Sequence, residues 1–104
     1  MCYVYLICDE NNRSKIGLSD NPQKRLNQLQ TGASSNLTLV QTHDCETRQR
    51  AQLFEKVMHK AFHDKKVRGE WFEMDIEEAS SLFEWAVIRY EDDSDLALRH
   101  FLKG

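Results

Sequence analysis

An α/β domain of the α+β kind is predicted by three features of this 104-residue chain. The first is a strand, turn and strand at the start. Cys2, Val4, Leu6 and Cys8 alternate with Tyr3, Tyr5 and Ile7, all apolar or strand-favouring, so both faces of this strand are covered. The turn formers Asp9-Glu10-Asn11-Asn12-Arg13 then lead into a second short strand, Ser14 to Leu18, as an antiparallel hairpin. The second feature is a helical period from about Glu46 to Asp64, where Ala51, Phe54, Met58, Ala61 and Phe62 form one apolar stripe. The third is helix punctuation: Ser19-Asp20-Asn21-Pro22 supplies capping side chains and a proline for a first turn, and Asp75 with Glu78 reads as a capping box.

The remaining elements follow in order. Leu26 and Leu29 give the first helix its apolar edge, and Gly32 ends it. Leu37 to Thr42, rich in β-branched residues, reads as a third strand, and Glu70 to Met74 as a short fourth. The helix that Asp75 opens runs to about Tyr90 with Ile76, Ala79, Leu82, Phe83 and Ala86 inward. Glu91-Asp92-Asp93 is expected to break it, and Ser94 to cap a last short helix whose Leu98, Phe101 and Leu102 cover apolar surface.

Composition bounds the class. A chain that is 40% hydrophobic with one proline suits a single domain with one core. No apolar run approaches the roughly 20 residues of a membrane span, and the start lacks the basic flank of a signal peptide, so an intracellular, cytoplasmic protein is expected. Cys2, Cys8 and Cys45 have no CxxC spacing and suit small buried side chains in a reducing compartment. The net charge of −3 conceals an uneven distribution: residues 1–70 carry eleven basic against eight acidic residues (+3), and residues 71–104 three against nine (−6). Arg48, Arg50, Lys56, Lys60, Lys65, Lys66 and Arg68 fall in one stretch, which suits either contact with phosphates or a solvated helix face.

Glu55 lies at the edge of the long helix's apolar stripe, one turn after Ala51. A carboxylate there needs a partner, and Arg48, Lys56 and Lys60 are within helical reach. Glu55, His59 and His63 also trace a line with metal-ligand spacing, but HExxH is absent and a zinc site is not expected.

These residues also occur in a telling order: Val4-Tyr5-Leu6-Ile7, Lys15-Ile16-Gly17, Arg25, Leu53-Phe54-Glu55 with His59 and Phe62, then Gly69-Glu70-Trp71-Phe72. That order resembles the GIY-YIG nuclease superfamily, and more narrowly a phage-associated branch in which KIG replaces YIG and GEWF closes the domain. The resemblance covers about residues 3–74. It implies a GIY-YIG-like three-stranded antiparallel sheet flanked by helices over residues 1–75, with residues 76–104 as a C-terminal helical extension packed on it.

The resemblance further implies an endonuclease that hydrolyses phosphodiester bonds in DNA, double-stranded above all though RNA is open, with one Mg²⁺ or Mn²⁺ ion. On it, Tyr5 matches the first motif's tyrosine, Lys15 replaces the second motif's, and Arg25 and Glu55 match the arginine and the metal-binding glutamate. Each type suits its task. Glu55 is a hard oxygen ligand, and Arg25 offers a planar fork to a non-bridging oxygen. Lys15 close to Tyr5 would favour the phenolate as a base; otherwise Lys15 is a phosphate clamp, and a metal-bound hydroxide or His59 supplies the base. Lys24, Arg48, Lys56, Lys60, Lys65, Lys66 and Arg68 would carry the nucleic-acid contact. Trp71 and Phe72 are expected to close the core beneath the long helix. Where many members carry a late polar residue, often asparagine, this chain has Glu70, an acid able to assist a metal or to repel phosphate. Two other readings keep the same features: a non-catalytic nucleic-acid-binding module, and a protein-interaction domain whose acidic C-terminal segment mimics DNA.

Overall fold

In the computed structural model, which describes residues 1–103 and side chains as far as Arg89, the N-terminal hairpin pairs β1 (Tyr3–Asp9) with β2 (Arg13–Ser19). Its turn is closed by Asp9, whose Oδ1 accepts the backbone N–H groups of Asn11 and Arg13 at 2.9 Å each. The chain then forms α1 (Pro22–Gly32), β3 (Leu37–Asp44), α2 (Arg48–Ala61), a 3₁₀ turn at His63–Lys65, β4 (Lys66–Arg68), β5 (Trp71–Glu73) and α3 (Ile76–Lys103). Caps act where their side chains predict: Asn21 Oδ1 accepts from Lys24 N, Thr47 Oγ1 from Arg50 N and Asp75 Oδ1 from Glu78 N.

The α+β class holds, but the sheet has five antiparallel strands, in the order β3-β1-β2-β5-β4, where three were expected. The additions are β5, already legible as a short strand, and β4, whose three residues are all exposed and too few to show a period. Gly69 joins them at φ +56°, a conformation that suits glycine. The expected break at Glu91-Asp92-Asp93 does not occur: α3 runs unbroken from Ile76 to Lys103, a span with no glycine or proline. The packing expected of Leu98, Phe101 and Leu102 lies outside the described side chains. Among the described residues, no helix is long and apolar enough to cross a membrane.

Strand register sorts the side chains onto two faces. Val4, Leu6 and Cys8 pair with Leu18, Ile16 and Ser14, and Ser14 with Phe72. This face packs on Ala51, Phe54, Val57, Met58 and Phe62 of the long helix and its end, and on Ala79, Phe83 and Ala86 of α3, as one core. Ile76, expected inward, is instead 49% exposed at the start of its helix. The opposite face carries Tyr5 beside Gly17, Ile7 beside Lys15, and Lys15 beside Trp71, so Trp71 is not beneath the long helix as expected. Only Phe72 is, fully buried there, because neighbouring strand residues point to opposite faces.

Gly17 is needed for space. A Cβ built on it would stand 2.4 Å from the Tyr5 hydroxyl oxygen and 2.7 Å from Cζ, so the phenol ring lies directly on the glycine. Gly17→Ala should therefore cost about 1–3 kcal/mol, read from the urea midpoint. Because Tyr5→Phe disturbs the same contact, the double variant should lose less than the two single losses together; strictly additive losses would show that the two positions are not coupled.

Candidate functional site

The site begins where one ladder stops. β5 pairs with β2 only from Arg13 to Lys15, and the last pair is Lys15 with Trp71. Beyond it, the Ile16 N–H donates to the carbonyl of Glu70 at 3.2 Å, and the Ile16 carbonyl accepts from His59 Nε2 at 2.9 Å. A carbonyl only accepts, so Nε2 carries a proton, and in the neutral imidazole the lone pair of His59 is then on Nδ1. Two backbone groups of one residue thus bring Glu70, from the β4–β5 turn, and His59, from α2, to the same edge of the sheet.

Charged side chains gather around this edge. Lys15, 6% exposed, donates to Glu70 Oε1 at 2.9 Å. The Glu55 carboxyl, one helical turn before His59, lies within 4.8 Å of the Glu70 carboxylate. Burial, then the proximity of Glu70, raise the Glu55 pKa from 4.5 to about 7, against the opposing pull of Lys15 and Arg48. Potential ligand atoms of Glu55, His59 and Glu70 all lie within 4.8 Å of one another, a carboxylate and imidazole set suited to a divalent cation. His63, the third member of the line traced along the helix, is not in this set; its Nδ1 bonds the carbonyl of Lys60. In the sequence Glu70 stands as an acid able to assist a metal or to repel phosphate. Its partnership with Lys15, 55 positions away, is set by strand pairing and leaves no local signal.

Tyr5 and Arg25 complete the group from the other face. The Tyr5 hydroxyl faces Arg25 of α1, and Tyr5 feels the charges of Arg25, Glu70 and Glu55. Its pKa is raised, chiefly by burial, with Arg25 opposing and the two carboxylates adding to the rise. The phenolate expected from a neighbouring Lys15 ammonium is therefore not favoured: Lys15 is committed to Glu70, and Tyr5 stays protonated at neutral pH. Lys15, Glu55 and His59 thus share this edge with Glu70, while Tyr5 and Arg25 act on it through charge from the other face.

The basic residues divide. Arg48 and Lys56 line a cleft of about 650 Å³ together with Glu55, Glu70, Gln52 and Leu18. Lys60 follows Lys56 by one turn of α2, and Lys24 is exposed on α1 next to Arg25. Lys65 is turned elsewhere: it bonds Glu78 of α3 at 2.9 Å and lines a groove between the end of α2 and α3. Lys66 and Arg68 stand on the edge strand β4. The run that looked continuous in sequence thus serves three surfaces.

Fold and site together define a small α+β domain with an acid and imidazole cluster beside a basic helix. The chain belongs to the T5orf172 domain family, whose pattern it matches over residues 2–87, past the Gly69–Phe72 motif and into α3. This is a phage-associated domain, reported as related to GIY-YIG/HNH-like nucleases. Searches of curated proteins and of solved structures returned no match.

The raised pKa of Glu55 has a sign. A carboxyl that holds its proton more tightly in the fold stabilises the fold fully below its unfolded value, near 4.5, and that contribution is lost as pH rises through about 7. Glu55→Gln keeps the shape and cannot ionise. In metal-free protein it should match the parent near pH 4.5 and be more stable by about 1–2 kcal/mol above pH 7, a range already reduced for partial exposure. Thermal melting in EDTA at both pH values measures this, and a variant less stable than the parent at pH 8 would contradict the account.

Proposed function

We propose that the domain is a metal-dependent endonuclease of GIY-YIG type that hydrolyses phosphodiester bonds in DNA. The observation that carries this reading is the convergence of Glu55, His59 and Glu70 within 4.8 Å. Family membership supports a nuclease-like or DNA-binding role in coarse terms.

Glu55, Glu70 and His59 through Nδ1 would hold one Mg²⁺ or Mn²⁺ ion, with Lys15 balancing the second carboxylate. Such an ion, when bound, supplies positive charge to the leaving oxygen. Arg25 brings a guanidinium able to serve a non-bridging phosphate oxygen, and the Tyr5 hydroxyl facing it would help to hold it in place. Tyr5 is assigned this positioning task rather than that of a base, because its proton is held above the ordinary tyrosine range. Arg48, Lys56, Lys60 and Lys24 would meet the phosphate backbone around the cleft.

A second reading, a nucleic-acid-binding module without turnover, is favoured by one observation: Glu70 neutralises the lysine that would otherwise clamp a phosphate. Cleavage assays on plasmid, single-stranded and branched DNA, with Mg²⁺, Mn²⁺ or EDTA, separate the two. Cutting is expected only with a divalent ion. Glu55→Gln and Glu70→Gln should each lower it by about a hundredfold or more while metal-free DNA binding is kept or tightened. His59→Gln, which removes the softer nitrogen ligand, should weaken Mn²⁺ support more than Mg²⁺ support. Cutting by Glu55→Gln at the parental rate would falsify the enzyme reading, and no cutting by the parent on any substrate would favour the binding module.

A further inference from the structure

The face that carries Tyr5 and Lys15 holds a second hollow. Helix α1 packs on β3, β1 and β2. Toward β5 and β4 the same face opens into a depression of about 500 Å³. Its walls include Trp71 and Arg68 of the β4–β5 hairpin, Arg13 and Asp9 flanking the β1–β2 turn, and Ser34 and Ser35 after α1. Trp71 is half-buried, and Lys15 Nζ sits 5.6 Å from its ring centroid. The same ammonium bonds Glu70, so the hollow and the metal cluster lie on either side of Lys15.

We propose that this hollow binds a single-stranded stretch of nucleic acid, with one base stacked on Trp71 and flanking phosphates on Arg13 and Arg68. The proposal rests on reading the neighbouring cleft as a nucleic-acid site. The chemistry matches in each part. A tryptophan in a polar hollow offers a π surface to any base, and base-on-aromatic stacking is strong and tolerant of sequence. Both arginines are exposed, and among the described residues neither guanidinium forms an ion pair, so both are available to phosphate. Asp9 is the one carboxylate in the wall, and one of its oxygens already receives the Asn11 and Arg13 N–H groups. A hollow of this volume suits about one or two nucleotides. A duplex keeps its bases stacked inside and could present only its backbone here, so the occupant is a strand with unpaired bases, such as a flap, a gap or a splayed end.

The test needs no cleavage. Trp85→Phe removes the second tryptophan, which is 44% exposed on α3, and leaves Trp71 as the sole indole fluorophore. In EDTA at low salt, a short oligo-dT should quench that fluorescence and a blunt duplex of equal length should not. In anisotropy measurements, Trp71→Ala should weaken oligo-dT binding by about five- to hundredfold, with Trp71→Phe keeping most of it and duplex affinity unmoved. Arg68→Ala, on an exposed edge strand where folding is not at stake, should weaken binding and lower the slope of log K against log salt by about one. Absence of quenching by oligo-dT, or equal quenching by the duplex, would overturn the proposal. Quenching without any cleavage would count against the nuclease reading and leave the subsite standing, and cleavage without quenching would do the reverse.

Discussion

The site depends on a ladder that ends early. β5 contributes three residues to the sheet, and after Lys15 the edge of β2 has no strand beside it. An unpaired buried peptide is costly, about as much as a lost hydrogen bond. Here the Ile16 peptide is satisfied by Glu70 on one side and His59 on the other. Had the ladder continued, a strand would occupy the space that these residues share with Glu55. The backbone's need for partners is thus what assembles a glutamate from a turn, a histidine from a helix and a lysine from a strand, residues far apart in the chain.

Electrostatics then constrains what this edge can hold. Lys15 is nearly buried, and a buried ammonium without a carboxylate is destabilising by about 3–5 kcal/mol. Glu70 meets that need. With Glu55 added, two carboxyls face one ammonium, and burial together with the Glu70 charge holds a proton on Glu55 up to about pH 7. The place of that proton is where a divalent cation would relieve the same repulsion, so on the proposed reading proton and metal would compete for one position. Tyr5, pressed on Gly17 and facing Arg25, couples this edge by charge to α1 on the far face. Both helical layers therefore contribute to one group of side chains.

Much of this was legible in the sequence where the determinant is local. The hairpin, the Asn21-Pro22 start of α1, the capping aspartate of α3 and the stripe Ala51, Phe54, Met58 and Phe62 of α2 depend on neighbours within a few residues. The ordered motifs also picked out Lys15, Glu55 and His59, which share that edge, and Tyr5 and Arg25, which act on it by charge from the other face. Less was legible where pairing acts at long range. β4 is three exposed residues paired with β5 at the sheet's edge, and the face that Trp71 occupies follows from its pairing with Lys15. The acids at 91–93 looked like a break, yet with no glycine or proline their charge alone does not stop a helix. Lys65 read as part of a phosphate-binding run because its partner, Glu78, stands on another element.

The central claim is that Glu55, Glu70 and His59 jointly hold a single divalent ion. Crystals soaked in Mn²⁺ at pH 8, where Glu55 is ionised, test it most directly through anomalous difference density. The account predicts one strong peak bound by a carboxylate oxygen from each glutamate and by His59 Nδ1, with Nε2 still donating to the Ile16 carbonyl. A peak bound elsewhere, or the Lys15 and Glu70 pair unchanged with no ion beside it at saturating Mn²⁺, would contradict it.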